Sequence, residues 1–304
     1  MKITVDLDQL LEQGKISQAE YDKFRQFASH GTAGLAFNIL VGFGVIAVGG
    51  ATLALVPTPA TAIVLGGLIA AIGVALMQAR YEHWKVLATI CVLVGALLFG
   101  GGVVVGLQSS TESFLIIAAV FAAAGVFARS SLLVVLSVLA LSASLGVKTA
   151  YAHAMYALGM ARPTLTIVVF GILSLATYHL AKRLRAEHQA LAIAASRTGV
   201  FLVNFGFWVG SLWGDRNPGG EVVVADTVFS ALWAIALIAA AGWAWMRSRR
   251  WLVNVVAVFG GIHFYTQWFE RLGASPATVL LAGLLALGFA IGLRVLNLEM
   301  AKNG

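Results

Sequence analysis

The sequence predicts an all-α integral membrane protein with about ten transmembrane helices, both termini cytoplasmic and a short soluble helical hairpin at the N-terminus. Three observations lead there. Of 304 residues, 60% are hydrophobic and 11% charged, where a soluble domain carries about a quarter charged residues. Polar surface is too scarce to face water, so the chain must use lipid as solvent. Past His30 the chain is a series of apolar runs separated by short polar breaks. The charges in those breaks are distributed with a strong bias to one side.

Residues 1–30 are the polar exception, and they lack the apolar core of a cleavable signal peptide. Asp6–Gln13 reads as a short helix stopped by Gly14. Ser17 is the expected N-cap of the next helix, with Glu20 at N3 completing a capping box and Ile16 and Tyr21 as the hydrophobic staple. Thirty residues are too few to bury a core alone, so this hairpin is expected to dock or to self-associate through Ile16, Tyr21 and Phe24. The run Leu10-Leu11, Gly14, Ile16-Ser17, Glu20-Tyr21, Lys23 resembles the short helical module called SHOCT, which implies oligomerisation.

The bundle, 31–304, then divides into a glycine-rich half, 31–147, and a half with polar faces, 148–304. At about 20 residues per crossing, the spans are expected at 33–56, 61–78, 86–107, 114–128, 132–147, 163–181, 198–214, 227–246, 251–269 and 277–296. The fourth and fifth are short enough to form a re-entrant hairpin instead. With the N-terminus inside, sixteen Lys and Arg fall on the inner side, among them Lys182, Arg183, Arg185, Arg197, Arg247, Arg249, Arg250 and Arg294. Only Lys148, Arg162, Arg216 and Arg271 fall outside. This is the positive-inside pattern of a multi-pass protein of the cytoplasmic (inner) membrane. Thr149–Met160, with Tyr151, His153 and Tyr156, is too short to cross and is expected to lie at the outer interface. Leu184–Ser196 is expected along the inner surface.

The first half is built of Ala, Val, Leu, Ile and Gly, with Asn38 as its main polar residue. Gly42 and Gly44, Gly49-Gly50, Gly66-Gly67 and Gly100-Gly101-Gly102 allow close backbone approach. Pro59-Ala60-Thr61 and Pro276-Ala277-Thr278 open the second and tenth spans alike, by duplication or by the limited vocabulary of membrane helices.

The second half carries the candidate chemistry. On the ninth span His263, Gln267 and Glu270 share one face. His263 lies thirteen residues past Arg250, roughly 20 Å along the helix at about 1.5 Å per residue. An ionisable group at that depth marks a functional site by default. The seventh span carries Asn204, Trp208, Ser211 and Asp215 on one stripe, and the eighth Asp226, Ser230 and Trp233. Three such faces can line a wet vestibule open to the outside, with Asn204 or Ser211 as the expected partner of His263. The competing reading is interhelical hydrogen bonding that only holds the bundle. His263 and Glu270 at i+7 match no HExxH-type motif, no nucleophile pairs with them, and the single cysteine, Cys91, builds no metal site. No catalytic residue, metal or cofactor is therefore expected. His179, beside Lys182 and Arg183, reaches the inner interface.

The stretches LLEQGKISQAEYDKF, RTGVFLVNFGFWVGSLWGD and HFYTQWFERLGASPATVLLAGLLALGFAIGL resemble an uncharacterised family of bacterial polytopic membrane proteins with a short cytosolic N-terminal segment. The resemblance implies location and topology only. Ten spans in this length are also similar in layout to drug/metabolite transporters, an analogy without a shared motif. Expected partners are the lipid bilayer, a small-molecule or ion substrate and further copies of the chain, with no nucleic acid. Transport or permeation of a small solute among helices six to ten is the first expectation. A structural or assembly protein, oligomerising through the hairpin and the glycine-rich helices, is the alternative.

Overall fold

The computed structural model describes residues 7–78, 84–152, 155–217, 219–247 and 249–302. They form eleven helices and two small hairpins, in the order α1 (Leu7–Glu12), α2 (Gln18–Leu55), α3 (Pro59–Gln78), α4 (Lys85–Gly106), α5 (Thr111–Phe127), α6 (Ser131–Ser144), β1 (Val147–Ala152), β2 (Met155–Met160), α7 (Pro163–Ala181), α8 (Ala186–Trp213), β3 (Asp215–Arg216), β4 (Val222–Val224), α9 (Asp226–Met246), α10 (Arg250–Leu272) and α11 (Pro276–Lys302). The chain divides into two compact units, Met1–Leu133 and Val134–Gly304.

Among the described residues, α3, α7, α8, α9, Val86–Gly106 of α4 and Pro276–Val295 of α11 are long and apolar enough to cross a membrane. The apolar part of α2, Leu40–Leu55, and the whole of α5 and α6 are shorter. The 23 residues of α10 are long enough, but Asn254, His263, Thr266 and Gln267 keep the helix more polar than its neighbours. Burial is inverted relative to a water-soluble protein. Ile72, Ile172, Leu175, Ile235, Ile238 and Ile291 are exposed, while Ser113, Thr166, Ser174, Ser196 and Ser211 are buried. Water does not tolerate so much contiguous apolar surface on a monomer, and small or hydroxylated residues are what membrane helices place at their contacts. The chain is a multi-pass, all-helical membrane protein.

In the first unit, Gly14 takes φ +64° between α1 and α2, a left-handed conformation that glycine adopts at little cost. Ser17 caps α2 as expected: the Glu20 amide donates to Ser17 Oγ at 3.3 Å, and the Ser17 amide donates to Glu20 Oε2 at 2.9 Å. The Ser17 amide, and after it the Ser17 hydroxyl donating to the same oxygen, hold the Glu20 carboxyl below its usual range. Helix α2 does not stop near residue 30. It runs unbroken for 38 residues into the first apolar run, because Gly31 and Gly34 weaken a helix without ending it and no proline intervenes. The hairpin's second helix and the first span are thus one element.

α3 and α4 form the closest packed pair of this unit. A Cβ on Gly66 would strike the backbone of Phe99 and Gly95, and one on Gly95 would strike Ala70 and Gly66. Gly73 and Gly102 are similarly closed, whereas Gly44, Gly50, Gly67 and Gly101 face open space. Close approach is thus concentrated on the α3–α4 seam. Ser110 caps α5, and Arg129, at φ +51°, turns the chain into α6.

In the second unit, Val138, Phe170, Ala195 and Leu202 make a buried cluster between α6, α7 and α8. Ser174 Oγ donates to the Ser196 carbonyl at 3.1 Å, and Ser196 Oγ returns a bond to the Ser174 carbonyl at 3.0 Å. Residues 186–196 are therefore the first turns of α8, packed on α7 with Leu191, Ala192 and Ala195 buried, and are not a segment separate from the apolar run. No glycine or proline separates them from the apolar run that follows, so the helix starts at Ala186 and not near 198.

The stretch after α6 is a β-hairpin, β1 antiparallel to β2 with Tyr151 opposite Tyr156. His153 lies outside the described residues. A second hairpin, β3–β4, follows α8. In it the Asn217 amide donates to the Glu221 carbonyl at 3.0 Å, and Asn217 Nδ2 donates to Glu221 Oε2 at 2.9 Å. The two Pro-Ala-Thr segments share capping chemistry: the Thr61 amide donates to Thr58 Oγ1 at 3.1 Å and the Thr278 amide to Ser275 Oγ at 3.2 Å. Beyond the caps they diverge, since Gly66 is tightly packed and Gly283 meets nothing within 4 Å.

Candidate functional site

The polar stripes of α8, α9 and α10 face one another. Trp233, 1% exposed, is the largest fully buried side chain of the chain's described part. A buried indole N–H needs an acceptor, and Trp233 Nε1 donates to Asn204 Oδ1 at 3.0 Å across the α8–α9 contact. Asn204 Nδ2 in turn donates to the Val200 carbonyl one turn back, at 2.9 Å. Both ends of the Asn204 amide are thus engaged.

A second bridge joins α8 to α10, where Trp208 Nε1 donates to Thr266 Oγ1 at 3.0 Å. Ser211 is buried, and its hydroxyl returns to the Trp208 carbonyl at 2.8 Å. Close approach of α9 to α8 is set at Gly210, where a Cβ would enter the Phe229 ring at 2.6 Å.

His263 lies within this cluster with its ring 4.9 Å from that of Trp233, edge to face. Its Nδ1 is a buried nitrogen with no hydrogen-bond partner, a condition shared among the described residues with Trp268 Nε1. Neither Asn204 nor Ser211 supplies the expected bond, because Trp233 takes the first and the α8 backbone takes the second. Gln267 is half-buried and Glu270 exposed, one and two turns further along α10.

Asp215 departs from its expected place. Helix α8 ends at Trp213, and Gly214 at φ +69° turns the chain, so Asp215 sits in β3 and off the Asn204–Ser211 stripe. Its Oδ2 accepts the Thr164 amide at 3.1 Å, which satisfies an otherwise open N–H in the first turn of α7 and places a carboxylate at the positive end of that helix. Asp226 is exposed at the start of α9.

Thr266 and Phe207 were not among the residues that spacing singled out. Thr266 follows His263 at i+3, and its hydroxyl is an ordinary interhelical partner, but one threonine in an apolar run carries no distinguishing signal. Phe207 stacks on Trp233 at 6.5 Å. Among the described residues no three His, Cys, Asp or Glu side chains come together as a metal site would require.

No family model matches the sequence, and neither a curated protein nor a solved structure is significantly similar to it. The class of protein is therefore defined by the fold and its surface alone: a multi-pass helical membrane protein with a polar cluster among α8, α9 and α10.

Proposed function

We propose that the chain is a ten-span protein of the cytoplasmic membrane, with both ends inside, that carries or admits a small solute past the α8–α9–α10 cluster. One observation supports this most: His263 Nδ1 has no protein partner although the surrounding Asn204, Trp208, Trp233 and Thr266 are all engaged. A group able to donate or accept, held against Trp233 and followed on its face by Gln267 and Glu270, is suited to contact a passing solute or water. The test is flux into liposomes, with a panel of ions and small metabolites, for the wild type and His263→Ala. Transport should be abolished while the variant inserts and stays monodisperse. Unchanged flux with a lowered melting temperature would remove the site.

The ten-span topology has its own check. In a Cys91→Ser background, a cysteine at Gly219 should react with an impermeant maleimide from outside, and one at Arg249 should not. The opposite pattern would overturn the orientation.

The cross-helix bonds favour a second reading, a structural or assembly protein in which Asn204 and Trp208 only fasten helices. On that reading the SHOCT-like segment, with Ile16 and Tyr21 half-buried and Phe24 exposed, mediates self-association. Phe24→Ser should then lower the mass measured by light scattering in mild detergent, and an unchanged mass would argue against it.

A further inference from the structure

Helix α11 is exposed along most of its length, with Ala282 the one buried residue among those whose burial is described. It is pinned to α10 at one end, where Tyr265 Oη donates to the Ala282 carbonyl at 2.7 Å and the Phe264 and Phe289 rings meet at 5.9 Å. From those contacts, whose rings line its end, a groove of about 950 Å³ runs to Val253 on α10 and Leu293 on α11, with Ala241 of α9 also on its wall. Its lining is almost wholly apolar. Glycines make it deep: a Cβ on Gly260, Gly261, Gly288 or Gly292 would meet nothing within 4 Å. From Val253 to Thr266 it extends roughly 20 Å at about 1.5 Å per residue, enough to line one leaflet of a hydrocarbon core about 30 Å thick.

The open end is strongly cationic. Arg250 lies three residues before Val253, and Arg294 directly follows Leu293. Arg249 is the residue before α10 and Arg247 the residue after α9. All four are exposed. No aspartate or glutamate occurs between Asp226 and Glu270, nor between Glu270 and Glu299, so the sequence is net positive where α9 ends and α10 begins. Trp251, under the Arg197 guanidinium at 5.0 Å, marks the same level, where tryptophan is enriched at membrane interfaces.

We infer that the α10–α11 groove binds an anionic phospholipid, its acyl chain along the glycine-lined wall and its phosphate among Arg247, Arg249, Arg250 and Arg294. Guanidinium groups pair with phosphate in a planar, two-point geometry, and basic residues at a membrane surface attract acidic lipid individually. A second copy of the chain is a poorer occupant. Parallel subunits meeting at this groove would set two arginine clusters at the same membrane depth, facing each other.

The inference depends on the membrane-spanning fold and is independent of transport through the His263 cluster. Native mass spectrometry of the full chain in mild detergent tests it, with phosphatidylglycerol and phosphatidylcholine of the same acyl chains as probes. Phosphatidylglycerol should bind at least tenfold more tightly. Arg250→Gln and Arg294→Gln should each weaken it about fivefold and leave phosphatidylcholine unchanged. Gly292→Leu, which fills the groove, should reduce binding of both lipids. The exposed arginine variants decide the matter even if the groove-filling one folds poorly. Equal affinity for the two lipids, or arginine variants that bind as the wild type does, would overturn the inference. So would a lipid-independent dimer that Gly292→Leu abolishes, because the groove would then belong to a second copy.

Discussion

Between α3 and α4 the contact is backbone on backbone, closed by Gly66, Gly73, Gly95 and Gly102. Between α8 and α9 it is the Trp233 indole on the Asn204 amide. Both answer the same physical problem. Lipid tails are as apolar as leucine, so burial of apolar surface does not drive helices together inside a membrane, and dispersion or hydrogen bonding must. The first contact leaves no room for a side chain to grow. The second permits a side chain to shrink, at the expense of one polar bond.

The two contacts should therefore fail differently. The largest effect is expected at the glycine seam, where Gly95→Leu should destabilise the protein by about 3 kcal/mol, the upper range for overpacking. The control is Gly67→Leu on the facing helix α3, at an open position, which should change little. Thermal unfolding in detergent would read both. Equal losses would mean that α3 and α4 do not meet through their glycines.

Next in size are the polar bridges. Asn204→Leu should lower stability by about 0.6–1.7 kcal/mol, the range for hydrogen bonds between membrane helices. Trp233→Phe removes the donor and keeps an aromatic ring. The double variant should lose less than the sum of the two singles, because the second change removes a partner already gone. Additive losses would show that the Asn204–Trp233 bond contributes nothing, and would leave Asn204 open to the solute-binding role proposed for its neighbour.

The contrast also explains what the sequence could show. A helix lies at each stretch where apolar length placed a span, and among the described residues six of them are long and apolar enough to cross, because hydropathy acts on each segment alone. The capping box at Ser17 was legible for a similar reason, being set by residues three apart. The unbroken α2 and the early start of α8 were not, since polar composition at a helix end marks the membrane boundary and not the end of the helix. The β3–β4 hairpin lies in the polar break between two expected spans, where hydropathy assigns no structure, although Val222–Val224 are three β-branched residues in a row. Of the candidate site, the helices that meet and the faces they turn were legible. Who bonds whom was not: Asn204 is reached by Trp233 because two helices cross there, and spacing within one chain segment contains no crossing point. Asp215 was misplaced by one local feature, the positive φ at Gly214, which ended the stripe before it.

The smallest expected effect lies outside the bilayer, where water competes for every bond. The Glu20 carboxylate accepts hydrogen bonds from the Ser17 amide and hydroxyl, each at 2.9 Å, and these bonds favour its ionised form. Its pKa in the folded chain is accordingly lower than in the unfolded one. A carboxyl shifted this way contributes stability that is fully present above its unfolded pKa and is lost as pH falls through the folded value. The unfolded value is about 4.3, so the start of α2 should be equally protected at pH 7 and pH 6 and begin to fray as pH falls below about 4. Glu20→Gln keeps part of the box but cannot titrate, and should remove the pH dependence. Ser17→Ala removes the bond to the Glu20 amide and should speed amide exchange in the first turn of α2 several-fold, with the α3–α4 and α8–α9 contacts unmoved. Hydrogen exchange at Gln18–Tyr21, followed against pH, measures all three. If exchange at Gln18–Tyr21 is unchanged by Ser17→Ala, the capping box does not secure this helix start, and the turn at Gly14 alone positions α2.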